Sequence, residues 1–143
     1  MALPARISVV TLGVSDLERS IRFYEALGWR RSPKSIEGEI CWFTTADSVL
    51  GLFPNDKLAA DAGVPADGHT GFRGITLAIN LETDEAVASM MSEALAAGAT
   101  VVKPPQRADW GGVSGYFADP DGHLWELVHT NFELTPEGRL NLT

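Results

Sequence analysis

A chain of 143 residues is the size of one ordinary domain and is long enough to bury a real core. Apolar residues make up 45% and charged residues 21%, a balance that excludes an intrinsically disordered chain. The net charge of -8 and a pI near 4.7 argue against a nucleic-acid partner, since phosphate binding needs clustered Lys and Arg and the densest cluster is Arg30, Arg31 and Lys34.

The opening "MALPARISVV" has no long apolar stretch behind a basic start, and no run approaches transmembrane length, so a cytoplasmic protein with no membrane partner is expected. Residues 9–14, "VVTLGV", alternate with period two. Val10, Leu12 and Val14 should pack under a helix, and the small residues Val9, Thr11 and Gly13 should line the opposite face as a cavity floor or a wet surface. Ser15-Asp16-Leu17-Glu18 has the S-x-x-E spacing of a capping box, followed by the stripe Leu17, Ile21, Tyr24 and Leu27 and the stop Gly28. Three strands are expected after it, at roughly 28–34, 39–45 and 49–53, with Glu37 and Glu39 as a solvated hairpin tip. Cys41, the only cysteine, lies inside Ile40-Cys41-Trp42-Phe43. It excludes an internal disulfide and reads as a buried, inert thiol.

Residues 55–71 are rich in Pro, Gly and Asp and read as a linker, with one short helical turn around 57–60. His69, in "DGHTG" of the linker, is a candidate to fold back over a site. The chain then repeats itself: "GITLAI" at 74–79 matches "VVTLGV", and "EAL" at 25–27 recurs at 93–95. The match sets Val9 on Gly74 and Thr11 on Thr76. A second helix begins near Thr83, with the stripe Val87, Met90, Met91 and Leu95 and the stop Gly98. Strands follow at roughly 100–103, 112–118 and 123–129, the last two joined by the turn "DPDG".

The last strand holds one carboxylate, Glu126, among apolar residues. Burying an unpaired carboxylate is costly, so it must be protonated, paired, metal-bound or facing a wet cavity. By parity Trp125 and Leu127 face a helix, while Leu124, Glu126 and Val128 face the small-residue floor. His123 and His129 are an odd number of residues from Glu126 and so point away from it. Glu126 therefore either contacts a ligand or pairs within the protein. Trp42, Phe53, Trp110 and Tyr116 are candidate cavity walls, and Trp110, in the loop "RADWGGVSGY", can stack on a flat ligand or plug its own loop.

The duplicated βαβββ order, "TLGVSDLERSIRFYEALGW" near the start and "GYFADPDGHLWEL" near the end together resemble the vicinal oxygen chelate superfamily of glyoxalase I, extradiol dioxygenases and bleomycin-resistance proteins. The resemblance implies an α+β fold in which two βαβββ modules form a half-open barrel. Module one would span about 6–54 and module two about 72–130, within a single domain covering 1–143 that ends in the tail 131–143. It also implies a homodimer. Metal-dependent members take ligands from four positions, which fall here on Val9, Gly51, Gly74 and Glu126, so only Glu126 offers a donor. No metal and no other cofactor is expected, because a catalytic divalent ion needs about three protein ligands. The reading is a metal-free protein that binds a small organic ligand, aromatic or amphipathic, through Glu126, Trp110, Trp42, Phe53, Tyr116, Thr11 and Thr76, with no catalytic residue. The rival reading is a metal-dependent lyase, isomerase or dioxygenase of the same superfamily.

Overall fold

Residues 2–68 and 71–143 are described by a computed structural model; His69 lies outside the described residues. Strand β1 (Val9–Val14) runs parallel to β3 (Val49–Pro54), which pairs antiparallel with β2 (Cys41–Thr44). The second sheet repeats this order. Strand β4 (Leu77–Asn80) lies parallel to β7 (Leu124–His129), followed by β6 (Val113–Ala118) and β5 (Thr100–Arg107) in antiparallel pairing. Helix α1 (Leu17–Ala26) follows β1 and α3 (Asp84–Ala97) follows β4. The architecture is α+β, and the sheets do not close into a barrel. Among the described residues no helix is long and apolar enough to cross a membrane.

Both helices lie on the core side of their sheets, and the two modules share one core. Tyr24 of α1 is fully buried and sits 6.1 Å from the Trp125 ring of the second sheet and 6.0 Å from Phe43 of the first. Phe117 and Trp125 stack with only 7° between their planes. The period-two pattern therefore works as expected in both sheets: Leu12, Val14, Trp125 and Leu127 are buried in the core. The opposite face of each sheet points away from that core.

The "DPDG" turn does more than join two strands. The buried Asp119 accepts from Asp121 N–H (2.9 Å), His123 N–H (2.8 Å) and the Tyr24 hydroxyl (2.7 Å), and Trp125 Nε1 donates to that hydroxyl (3.1 Å). Burial first, and then the Asp119 charge, push the Tyr24 phenol far above its ordinary range. Asp121 accepts from both the N–H and the hydroxyl of Ser15 at 2.8 Å and from Ser20 Oγ at 3.0 Å. A turn of module two thus clasps the N-terminal end of α1 in module one.

That clasp explains the first departure from expectation. The cap of α1 is Asp16, whose side chain accepts from Arg19 N–H (3.1 Å), because Ser15 is already bonded to Asp121. No full strand forms over 28–34: Pro33 lacks an N–H, and pairing is reduced to a bridge from Arg31 to Phe43 and the bond from Ser32 N–H to Trp42 O (2.6 Å). The linker folds into a two-turn helix, α2 (Asn55–Ala62), longer than the single turn expected and ended by Gly63 in the left-handed region (φ 74°). Strand β5 continues to Arg107 through Pro104 and Pro105, which an edge strand with irregular register accommodates. On α3 the buried stripe is Val87, Met91 and Ala94, while Met90 and Leu95 are 40% and 41% exposed. The tail forms a small hairpin of β8 (Glu133–Leu134) and β9 (Leu140–Asn141).

The structural repeat also runs two residues beyond the sequence match. Thr11 pairs with Gly51 and Ala78 with Glu126 at equivalent places in the two sheets, and the helix caps Asp16 and Thr83 fall at the same spacing. Gly74 and Thr76 consequently precede β4 on an exposed segment.

Candidate functional site

On the outer face of module two, one cross-strand row runs Ala78, Glu126, Tyr116, Lys103. Ser114, two residues from Tyr116 on the same face, donates its hydroxyl to Glu126 Oε2 at 2.6 Å. Tyr116 is half-buried, and its phenol is held above its ordinary range by burial first and then by the neighbouring Glu126 carboxylate. Lys103, Ser114, Tyr116 and Glu126, with Asp109 and Trp110 of the neighbouring loop, line a cavity of about 320 Å³. Glu126 therefore faces a polar hollow, and its strand neighbours Trp125 and Leu127 face the core.

Trp110 is 58% exposed and folds back over its own loop. A Cβ at Gly112 would collide with the indole and with the His129 carbonyl, so only glycine lets the ring rest there. The loop is pinned by Arg107, which donates to Gly111 O (2.7 Å) and to Asp84 Oδ2 (2.7 Å). Asp84, at the start of α3, also contacts His129 Nδ1 at 2.7 Å. These two bonds, His129 first and Arg107 second, hold the Asp84 carboxyl below the usual range. His129 points away from Glu126, as parity requires, and His123 Nε2 lies 2.8 Å from Gly13 O at the module seam.

Module one carries the remaining candidates on its own outer face. Thr11, Gly51 and Trp42 form one row, and Gly13 and Phe53 the next. A Cβ at Gly51 would lie 3.1 Å from Thr11 Oγ1 and 3.3 Å from Trp42 Cδ1, so the indole occupies the space a side chain there would need. Asn55 of α2 rests against Gly13 and closes that end of the floor. Of the expected residues, Glu126, Tyr116 and Trp110 come together, and Thr11, Trp42 and Phe53 share the other outer face. Thr76 joins neither group. Sequence reasoning missed Ser114, which strand parity with Tyr116 can find, and the Arg107–Asp84–His129 clamp, which it cannot, because the partners are far apart in the chain. A larger cavity lies elsewhere, at the seam between the modules; of the outer-face residues named above only Ala78 lines it.

A first-row divalent ion does not fit this donor set. Among the described residues no three His, Cys, Asp or Glu side chains converge. Beside Glu126 stand Ala78, a serine hydroxyl and a phenol, and beside Gly51 stand a threonine and an indole.

Comparison with known proteins agrees with this architecture. Residues 6–127 match the model of the Glyoxalase/Bleomycin resistance protein/Dioxygenase superfamily. A glyoxalase-related enzyme from Fulvimarina pelagi is 33% identical, with 98% of this chain and 99% of that chain aligned and a TM-score of 0.87. A glyoxalase/bleomycin resistance protein/dioxygenase from Nocardioides is 25% identical over 90% and 85% of the two chains, with a TM-score of 0.75. Lactoylglutathione lyase from Agrobacterium tumefaciens, 23% identical over 88% and 94%, shares the fold with a TM-score of 0.66. No curated protein gives a significant match.

Proposed function

The chain belongs to the Glyoxalase/Bleomycin resistance protein/Dioxygenase superfamily, and within it we propose a metal-free protein that binds an aromatic or amphipathic small molecule on its outer sheet faces. The observation that carries this reading is the hollow at Glu126. Glu126, Asp109 and the Tyr116 phenol share it with an exposed indole, and the corner at Gly51 is filled by Trp42. Glu126 would accept a hydrogen bond from the ligand while Ser114 holds its second oxygen, and Trp110 would stack on the ligand's flat face. The Ser114 hydroxyl is committed to Glu126 at 2.6 Å, and in this reading the ligand is held or carried and no bond is broken.

Each half-site is open on one side. A homodimer that sets module one of one copy over module two of another would bring Trp42, Phe53 and Thr11 opposite Glu126, Tyr116 and Trp110. The acidic chain would act in the cytoplasm, with neither nucleic acid nor membrane as partner.

The rival reading, a metal-dependent lyase, isomerase or dioxygenase, is favoured by the 33% identity to a glyoxalase-related enzyme. Metal analysis of protein purified without chelator separates the two. One tightly held Zn, Ni, Mn or Fe per chain would overturn the metal-free reading. Binding itself is tested by tryptophan quenching across a panel of aromatic compounds. At least one compound should quench Trp110, and Trp110→Ala and Glu126→Gln should each weaken it about tenfold, the value of one good contact. A panel without a hit, or variants that bind as the parent does, would sink the assignment.

A further inference from the structure

A cavity of about 540 Å³ lies where the modules meet; core-side residues form most of its walls, and Val49, Ala78 and Asn80, of the other strand parity, also line it. Its origin is topological. Strands β1 and β4 are each the edge of their sheet, and between them the two sheets separate without a strand to fill the gap. Val10, Leu77 and Ile79 point towards the core by parity, and with Trp29 they remain partly exposed because this gap lies beside them. Its aromatic wall is the edge-to-face pair Trp29 and Trp125, with ring centroids 5.6 Å apart.

The rim is polar and acidic. The turn from Thr45 to Ser48 forms one side, and Asp47 there meets Arg139 only at 3.9 Å, with both side chains more than half exposed. The tail hairpin forms the other side: Leu140 lines the cavity, and Arg139 Nε donates to Ala46 O at 2.7 Å. A hollow of this size with apolar walls and a few polar rim groups has the character of a ligand pocket.

We propose that the seam cavity is a second small-molecule site, separate from the Glu126 hollow, for a flat apolar compound with a neutral or cationic hydrogen-bond donor at one end. The flat body stacks against Trp29 and Trp125, and the donor end meets Asp47. Anionic compounds are disfavoured by Asp47 and by the net charge of -8.

Two dyes that share one aromatic body test this. N-phenyl-naphthylamine is neutral and has an N–H, and anilinonaphthalene sulfonate adds an anion. The neutral dye should bind saturably and more tightly than the sulfonate, with energy transfer from tryptophan. Ser48→Phe places a ring in the cavity from a side chain that makes no hydrogen bond of its own, and should weaken the neutral dye about tenfold. Asp47→Asn should narrow the gap between the dyes. Every titration is run in a Trp110→Ala background, which removes the stacking ring of the Glu126 hollow, so that binding at the seam is read apart from binding there. Thermal melting of each variant shows that it is folded. Binding by a folded Ser48→Phe that matches its background, or equal affinity for the two dyes, would overturn the proposal. So would a folded parent protein that binds neither.

Discussion

Replacing Asp121 by Ala tests whether the β6–β7 turn holds the two modules together. The carboxylate is only 8% exposed and accepts three hydrogen bonds at 2.8–3.0 Å from Ser15 and Ser20, with Arg19 at 3.4 Å. A hydrogen bond to a charged group contributes about 1.5–3 kcal/mol, but bonds sharing one acceptor are not additive and the freed serines regain some water. The expected loss is therefore about 2–4 kcal/mol, or roughly 6–14 °C in Tm for a domain of this size. Burial alone would raise the Asp121 pKa; the bonds from Ser15 and Ser20 and the Arg19 charge outweigh it and hold the carboxyl below its ordinary range. A folded pKa below the unfolded value of about 3.9 means the contribution is complete above that pH and fades as pH falls through the folded pKa. Urea titrations of parent and variant should therefore differ most at neutral pH and converge in acid. Asp121→Asn, which keeps an acceptor oxygen, should recover part of the loss. A difference under about 0.5 kcal/mol at neutral pH, the scatter of ordinary surface changes, would refute the clasp, as would a gap that persists unchanged in acid.

Tyr24→Phe should cost about 1–3 kcal/mol in urea unfolding, because it strips a hydrogen bond from the buried Asp119 and the acceptor from Trp125 Nε1. A cost near zero would mean that water replaces the hydroxyl. Gly51→Glu, which restores a carboxylate at the inherited ligand position, should lose about 1–3 kcal/mol by overpacking against Trp42, and adding Trp42→Ala should recover most of it. A stable single variant would show that the indole moves freely. Arg107→Ala frees Gly111 O and one side of Asp84, so acrylamide should quench Trp110 more efficiently, while His129 still holds the Asp84 carboxyl below its ordinary range. Unchanged quenching would mean that Gly112 packing alone seats the indole.

The parts of the fold that could be read in advance depend on neighbours in the chain. The alternation of Val10, Leu12 and Val14 against Thr11 and Gly13, the stops at Gly28 and Gly98, and the outward parity of Glu126 all follow from backbone geometry over a few residues. The expected strand over 28–34 failed locally, at Pro33. The two-residue offset between sequence match and structural repeat has a different origin. Short apolar patterns recur with period two, so a shift of two leaves every side chain on its own face and costs the match nothing.

Local pattern therefore settled the duplication and the identity of one carboxylate set in an apolar strand, and the α+β class came with the family resemblance that two short motifs carry. Tertiary packing decided the rest: Asp121 binding Ser15 across 106 positions, Trp42 filling the space above Gly51, Arg107 and Asp84 pinning the Trp110 loop, and a cavity opening between two edge strands. Hydrogen bonds and close packing act between atoms within a few ångströms, whatever their separation along the chain. A pattern that repeats every two or four residues carries no record of which distant side chain will arrive there.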